Sequence, residues 1–182
     1  MASELRVNRI IPVNGVPTNG GGGVIQTVQS VVTSSTTGTG GTPASVMTAS
    51  ITPTRIDSKV LVLADFNVGS SNNYNITARL YRGTGGSGTQ IYFGDASGNR
   101  PRVTRTITTY DGTSSNYMQI PVQIIYLDSP STTSQITYDL RLASYSTHLW
   151  SFNRSVIDQE DNTNGEFDGQ CASSMTLMEI SG

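Results

Sequence analysis

Apolar and polar residues alternate with a period of two through most of the chain from residue 46 onward. In the clearest segment every second residue is apolar: Val60, Val62, Ala64, Phe66 and Val68. This alternation is typical of a β-strand with one face toward a core. Leu61 and Leu63 lie on the opposite face, so we expect this strand to be central and partly buried on both sides.

The same pattern predicts a series of short strands separated by turn residues. Asp111-Gly112 is a hairpin signal. Pro121 removes a ladder donor, so its strand should lie at a sheet edge or carry a bulge. The predicted strands span residues 24–32, 46–51, 60–68, 76–81, 90–93, 103–110, 118–126, 136–142, 146–152 and 175–180.

Nine or ten short strands at close spacing indicate an all-β fold, an antiparallel β-sandwich of jelly-roll type with an extended N-terminal arm. No interval has a 3.6-residue period long enough for a crossover helix. We predict three parts: an attachment arm over residues 1–23, a strand plus low-complexity loop over 24–45, and the sandwich over 46–182. The 13 polar residues 33–45 should be mobile or bound to a neighbour.

The first 23 residues combine an apolar strip with a four-glycine hinge, Gly20 to Gly23. An apolar strip tied loosely to a domain is typical of a segment that adds to another subunit as a strand. The alternative is a first strand of the same domain. The residues predicted to dock are Leu5, Val7, Ile10, Ile11 and Pro12.

Composition narrows the function classes. The chain has 24 threonines, 23 serines and 19 glycines, which disfavours a helical bundle. Apolar residues make up 35%, below the usual share, so the fold should depend partly on partner subunits. The net charge of −2 and 13% charged residues disfavour nucleic-acid binding, which usually needs a basic face.

Signals for secretion, membrane insertion and catalysis are weak. The N-terminus lacks a signal-peptide core, and no run approaches the roughly 20 apolar residues of a membrane span. We therefore expect synthesis in a cytosol without membrane insertion. The single Cys171 allows no intrachain disulfide, and the single His148 lies in a strand-like setting without a nucleophile elbow. We predict no enzyme activity and no cofactor.

Two motifs match the residue types of known ligand-binding motifs, but the sequence around them does not fit such sites. Residues 83–88 match G-x-G-x-x-G, but a strand rather than a helix follows, which favours a hairpin loop over phosphate binding. Glu160, Asn162 and Asn164 resemble the start of a calcium loop, but its twelfth position is Cys171 instead of Glu. They are a weak metal candidate, and a solvated acidic loop is the better interpretation.

Two residue groups are candidates for recognition. Arg100, Arg102 and Arg105 suit ion pairs with a neighbouring subunit. Aromatic and polar side chains among small residues suit either a carbohydrate- or protein-binding surface or packing at the sandwich rim. This second group consists of Tyr74, Tyr110, Asp111, Asn116, Tyr117, Tyr145 and Trp150.

An ordered succession of short motifs resembles the β-domain found in structural proteins of tailed phages, marine ones especially. These motifs lie at residues 4–15, 48–62, 80–83, 127–130, 132–134, 137–140, 152–155 and 174–180. The resemblance covers most of the chain. It implies a non-enzymatic virion component of the tail-fibre or receptor-binding type, usually threefold.

This resemblance implies a homotrimer that docks on other virion proteins by its arm and contacts a host cell-surface glycan or protein through its loops. The chain has no long repetitive shaft, so two alternatives stay open. One is a head decoration or cement protein, or a head fibre. The other is an appendage that cleaves polysaccharide.

Overall fold

The structure is a computed structural model that describes residues 23–71, 74–84, 87–108, 115–157 and 169–182. Its elements include eleven strands and a short 3-10 helix, Ser115–Tyr117, and no α-helix lies within these ranges. The strands are β1 Val24–Val32, β2 Thr36–Thr39, β3 Ala44–Ile51, β4 Lys59–Ser70, β5 Asn75–Arg82, β6 Thr89–Ile91, β7 Arg105–Thr108, β8 Ile120–Asp128, β9 Ile136–Ser144, β10 Leu149–Phe152 and β11 Ser173–Ile180.

The strands form two antiparallel sheets. Five of the strand pairs are nested in the sequence, each pair enclosed by the one before it. β1 pairs with β11, β2 with β10, β3 with β9, β4 with β8, and β5 with β7. β4 also pairs with β10 and with β11, and β9 also pairs with β5. These further pairs divide the strands between a six-stranded and a five-stranded sheet. Nested antiparallel pairs wound across two sheets are the jelly-roll arrangement, so the predicted sandwich is confirmed.

The core lies between the two sheets and follows the predicted alternation. In β4, Val60, Val62, Phe66 and Val68 are fully buried. The five-stranded sheet contributes the inward residues of β5 and β9, which include Ile76, Ala78, Leu80, Tyr138, Leu140 and Leu142. β4 is central because β8 lies on one side of it and β11 and β10 on the other.

The sandwich begins earlier than the sequence predicts. β1 pairs along its length with β11, and β2 lies inside the segment predicted to be a polar loop. The boundary predicted at residue 46 is therefore wrong, and the sandwich includes residue 24 onward. The segment Thr36-Thr-Gly-Thr39 has no apolar alternation that would indicate a strand. β2 is an edge strand, and its pairing with β10 holds it in place.

Two local predictions are confirmed. β8, which contains Pro121, lies at the edge of the six-stranded sheet, where a missing N–H costs no ladder bond. The G-x-G-x-x-G match connects β5 to β6, which pair from Arg82 and Thr89 onward, so a hairpin and not a phosphate-binding helix follows. No helix in the described part of the chain is long and apolar enough to cross a membrane.

Candidate functional site

Three rings stack at one end of the sandwich, where β4 leads into β5 and β9 into β10. Tyr74 and His148 lie face to face with ring centroids 3.3 Å apart and an interplanar angle of 15°. Tyr145 lies 6.3 Å from Tyr74 and 6.2 Å from His148. We call Tyr74, Tyr145 and His148 the aromatic cluster. Tyr145 is 71% exposed, so the cluster presents a ring to solvent.

A tight turn after β9 holds the aromatic cluster in place. The N–H of His148 donates to the carbonyl of Tyr145 at 3.1 Å, and the N–H of Ser144 donates to the carbonyl of Gly40 at 2.9 Å. Gly40 has φ +88° and Ser146 has φ 53°, both in the left-handed region. The turn reverses the chain within four residues and leaves Tyr145 pointing outward.

Beside the aromatic cluster, a cleft of about 570 Å³ opens on the outer face of the five-stranded sheet. This volume is in the range of small-molecule sites. Its lining combines three strands with three loops, and includes two arginines and no acidic residue among those the structure describes. The lining residues are Gly41, Asn75, Thr77, Arg79, Arg100, Pro101, Thr106, Ala143, Ser144, Tyr145 and Ser146.

Trp150 is not a surface-recognition residue, contrary to the sequence prediction. It lies in β10 and is 1% exposed, within the core. Its partner across the ladder is Gly38 of β2. A Cβ at Gly38 would lie 2.7 Å from Trp150 Cε2, so the indole occupies the space that this glycine leaves free. The sequence placed Trp150 in a predicted strand beside polar loop residues, and these polar neighbours gave no sign that the indole lies in the core.

Of the other predicted recognition residues, Asn116 and Tyr117 lie on the 3-10 helix before β8, and Tyr117 is exposed. The Asn116 carbonyl accepts hydrogen bonds from the N–H groups of Val156 and Ile157, at 3.1 and 3.3 Å. This residue therefore ties the start of β8 to the segment after β10. Tyr110 and Asp111 lie outside the described residues.

The three arginines predicted to contact another subunit have different surroundings. The Arg102 guanidinium lies 4.1 Å above the Phe93 ring, and its Nε donates to the carbonyl of Gly94. Arg105 donates to the Tyr92 hydroxyl at 3.3 Å. Arg100 is exposed and lines the cleft. Two of the three thus make contacts within the chain, and the intersubunit ion pairs stay a prediction.

The outer face of the six-stranded sheet carries an apolar stripe. In register, Leu61 of β4 faces Leu127 of β8 and Met178 of β11, and Leu63 faces Ile125. Ile125 is 59% exposed and Leu127 46% exposed. We call Leu61, Leu63, Ile125, Leu127 and Met178 the apolar stripe. The sequence indicated the two leucines but gave no sign that β8 and β11 would align with them.

The remaining predicted sites lie outside the described residues. These are the docking residues Leu5, Val7, Ile10, Ile11 and Pro12, and the weak metal candidate Glu160, Asn162 and Asn164. Within the part of the chain that the structure describes, no three His, Cys, Asp or Glu side chains come together as metal ligands.

Comparisons with known proteins return little. No family model matches the chain, and no curated protein matches it. A solved chain titled "Structure of infectious bursal disease virus Gx strain" is similar at a TM-score of 0.37 and 14% identity. The match covers 87% of this chain and 33% of that chain, so this chain spans about a third of the length of its match. The functional interpretation therefore depends on the chain's own residues.

Proposed function

We propose that this chain is a non-enzymatic structural protein of a tailed-phage particle, a short tail fibre or similar tail appendage. Residues 1–23 bind another virion protein, copies of the chain associate as a homotrimer, and loops at one end of the sandwich contact the host cell surface. The ordered motifs that resemble tailed-phage structural proteins support the virion role. The observation that carries self-assembly is the uncovered apolar stripe.

The apolar stripe is a surface of the kind that subunit interfaces bury. Ile125 and Leu127 project from an edge strand next to Leu61 and Leu63. Contiguous apolar side chains on an outer face mark an interaction site, whereas single exposed ones do not. The low apolar share of the chain fits a fold that completes its burial against other copies.

Charges at the two ends of the apolar stripe favour a second copy as its occupant. Lys59 and Asp65 are exposed and lie on the same face of β4 as Leu61 and Leu63, one at each end. Neither has a salt-bridge partner among the described residues. A copy therefore offers both members of an intersubunit ion pair, which orients association.

The aromatic cluster supports contact with the host surface. Tyr145 and Tyr74 are exposed, and His148 fixes their rings by stacking. Rigid aromatic rings beside small hydroxyl side chains are typical of recognition surfaces, because they provide contact area at low entropic cost.

Introducing charge into the apolar stripe should dissociate the oligomer. In the double variant Ile125→Arg with Leu127→Arg, two cations per copy would have to be desolvated at the interface. We expect wild-type protein to sediment at three times the 19.4-kDa chain mass and the variant at the mass of one chain. Analytical ultracentrifugation measures both.

The matched control is Thr133→Arg, which adds a cation to an exposed loop outside the apolar stripe. It should sediment like wild type. A wild-type monomer, or a double variant that keeps the wild-type mass, would overturn the assignment of this face to a subunit interface. Both altered side chains are exposed, so the variant should keep the wild-type fold, which circular dichroism checks.

Location on the particle tests the virion role itself. We expect protein labelled at its C-terminus to appear at the tail periphery of intact particles in electron micrographs. Deletion of residues 1–23 should remove the label from purified particles, because the docking segment is then missing.

Other label positions have definite meanings. Label spread over the head would assign the protein to capsid decoration, and the next measurement would be the stability of heads that lack the protein. Label absent from particles would overturn a virion role. Unchanged incorporation of the deletion variant would overturn docking by the arm.

A further inference from the structure

The geometry points to the cleft beside the aromatic cluster as a binding site for a carboxylated sugar, such as a uronic or sialic acid residue of a host surface glycan. The inference deepens the proposed role in host attachment and rests on it for its biological setting. Binding by the isolated protein is a separate question from where the protein lies on the particle.

The floor of the cleft is a row of small side chains across three strands. Thr77 of β5 lies opposite Ala143 of β9 and opposite Thr106 of β7. The Thr77 hydroxyl donates to the Ala143 carbonyl at 3.3 Å, which holds it against the sheet. Because no large side chain rises from this row, the sheet surface is depressed there, and the flanking loops form walls.

Two arginines and an asparagine bring hydrogen-bond donors to the lining. The Nε of Arg79 is buried and has no hydrogen-bond partner among the described residues, which is uncommon for a buried polar atom. The Asn75 Oδ1 already accepts from the Thr108 hydroxyl at 2.6 Å, so its amide NH₂ is left to donate. Arg79 and Arg100 line one space, and the described chain places no carboxylate within salt-bridge distance of either.

The adjacent arginine shows the contrast. Arg141 lies opposite Arg79 on β9, and its Nε donates to Asp139 at 2.7 Å. Its charge is compensated within the protein, whereas no described carboxylate forms a salt bridge with Arg79. A ligand carboxylate supplies the acceptor and the charge that the cleft lacks, since a guanidinium binds a carboxylate in a two-bonded geometry.

The rim favours a sugar as the carrier of that carboxylate. The exposed Tyr145 ring borders the cleft, and its stack with Tyr74 and His148 limits its movement. An aromatic face packs against the C–H face of a sugar ring, and hydroxyl side chains such as Ser146 and Thr106 bond sugar hydroxyls. Inorganic phosphate would use the arginines but not the ring.

Calorimetric titration with two acidic probes and their neutral counterparts tests this inference. We expect trigalacturonic acid or sialyllactose to bind, and methyl-esterified trigalacturonate and lactose to bind at least about tenfold more weakly. Arg79→Gln and Arg100→Gln should each weaken binding of the acidic probe about tenfold, and Tyr145→Ala should weaken it without changing the preference for the acidic form.

Arg102→Gln is the matched control, because it removes the same charge from a neighbouring position outside the cleft. It should bind like wild type. Equal binding of acidic and neutral probes, no binding of either acidic probe, or an equal effect of Arg102→Gln overturns the inference. The inference is also overturned if inorganic phosphate shows the same dependence on the two arginines and displaces the acidic probe completely. Arg100 is exposed, so Arg100→Gln keeps the test valid if Arg79→Gln unfolds. A negative result here together with label at the tail would leave the proposed function standing.

Discussion

Trp150→Ala should lower the free energy of unfolding by about 3–5 kcal/mol, a large part of the total for a domain. The indole is 1% exposed and lies between the sheets, with Gly38 of β2 beneath it. Truncation removes its buried area and leaves a cavity in the core. Urea unfolding at neutral pH measures the loss.

Tyr145→Ala is the matched control for Trp150→Ala. It removes an aromatic ring of similar size from the loop before β10, but that ring is 71% exposed. Its effect on the free energy of unfolding should be within about 0.5 kcal/mol. A Trp150→Ala variant as stable as the Tyr145→Ala variant would contradict the buried position of the indole.

Glu179→Gln should lower the free energy of unfolding at neutral pH by about 1–3 kcal/mol. Glu179 lies in β11 and is fully buried. Its carboxylate accepts from Gln26 Nε2 at 2.6 Å, and from the Thr54 N–H and hydroxyl at 2.8 Å each. These bonds join β1, β11 and the segment after β3. The amide of glutamine accepts at one atom only, so at least one of these half-buried donors loses its partner.

The same substitution should flatten the dependence of stability on pH. Burial raises the pKa of Glu179, but the hydrogen bonds from Gln26 and Thr54 lower it more, so the folded-state pKa lies below the ordinary 4.5. The carboxylate therefore stabilises the fold fully above pH 4.5, and this contribution is lost as the pH falls through the folded-state value. Thermal unfolding across that range should show a smaller acid loss in Glu179→Gln than in wild type.

Asp95→Asn controls for the removal of a carboxylate as such. Asp95 is exposed, so its substitution should change the free energy of unfolding by no more than about 0.5 kcal/mol. If wild type and Glu179→Gln lose the same stability on acidification, the hydrogen bonds to Glu179 do not favour its charged form.

Strands with a buried face were predictable from the sequence because alternation records which side of a strand meets the core. The segment predicted at 24–32 is β1, and the segment predicted at 60–68 lies within β4. Pro121 predicted an edge strand or a bulge, and its strand β8 lies at a sheet edge. β2 was missed, since an edge strand of Thr and Gly has no apolar face and is defined by its partner.

The sites divide along the same line. The sequence marked Tyr74 and Tyr145 as candidates because aromatic side chains among small polar residues suit recognition surfaces, and Arg100 because a guanidinium suits ion pairs between subunits. It placed Trp150 with them, because residue type alone does not distinguish a core indole from an exposed one. Only the pairing of β5 with β7 and β9 put Thr77, Thr106 and Ala143 side by side as a cleft floor.

The sequence alone determined an all-β sandwich, its core faces, and a low charge that disfavours nucleic acid, because these depend on composition and on a period of two. The tertiary structure decided which strands are neighbours, and with them the cleft, the apolar stripe and the burial of Glu179. These features join residues up to 153 positions apart, as between Gln26 and Glu179. Contacts at such separations depend on strand register, which local pattern does not encode.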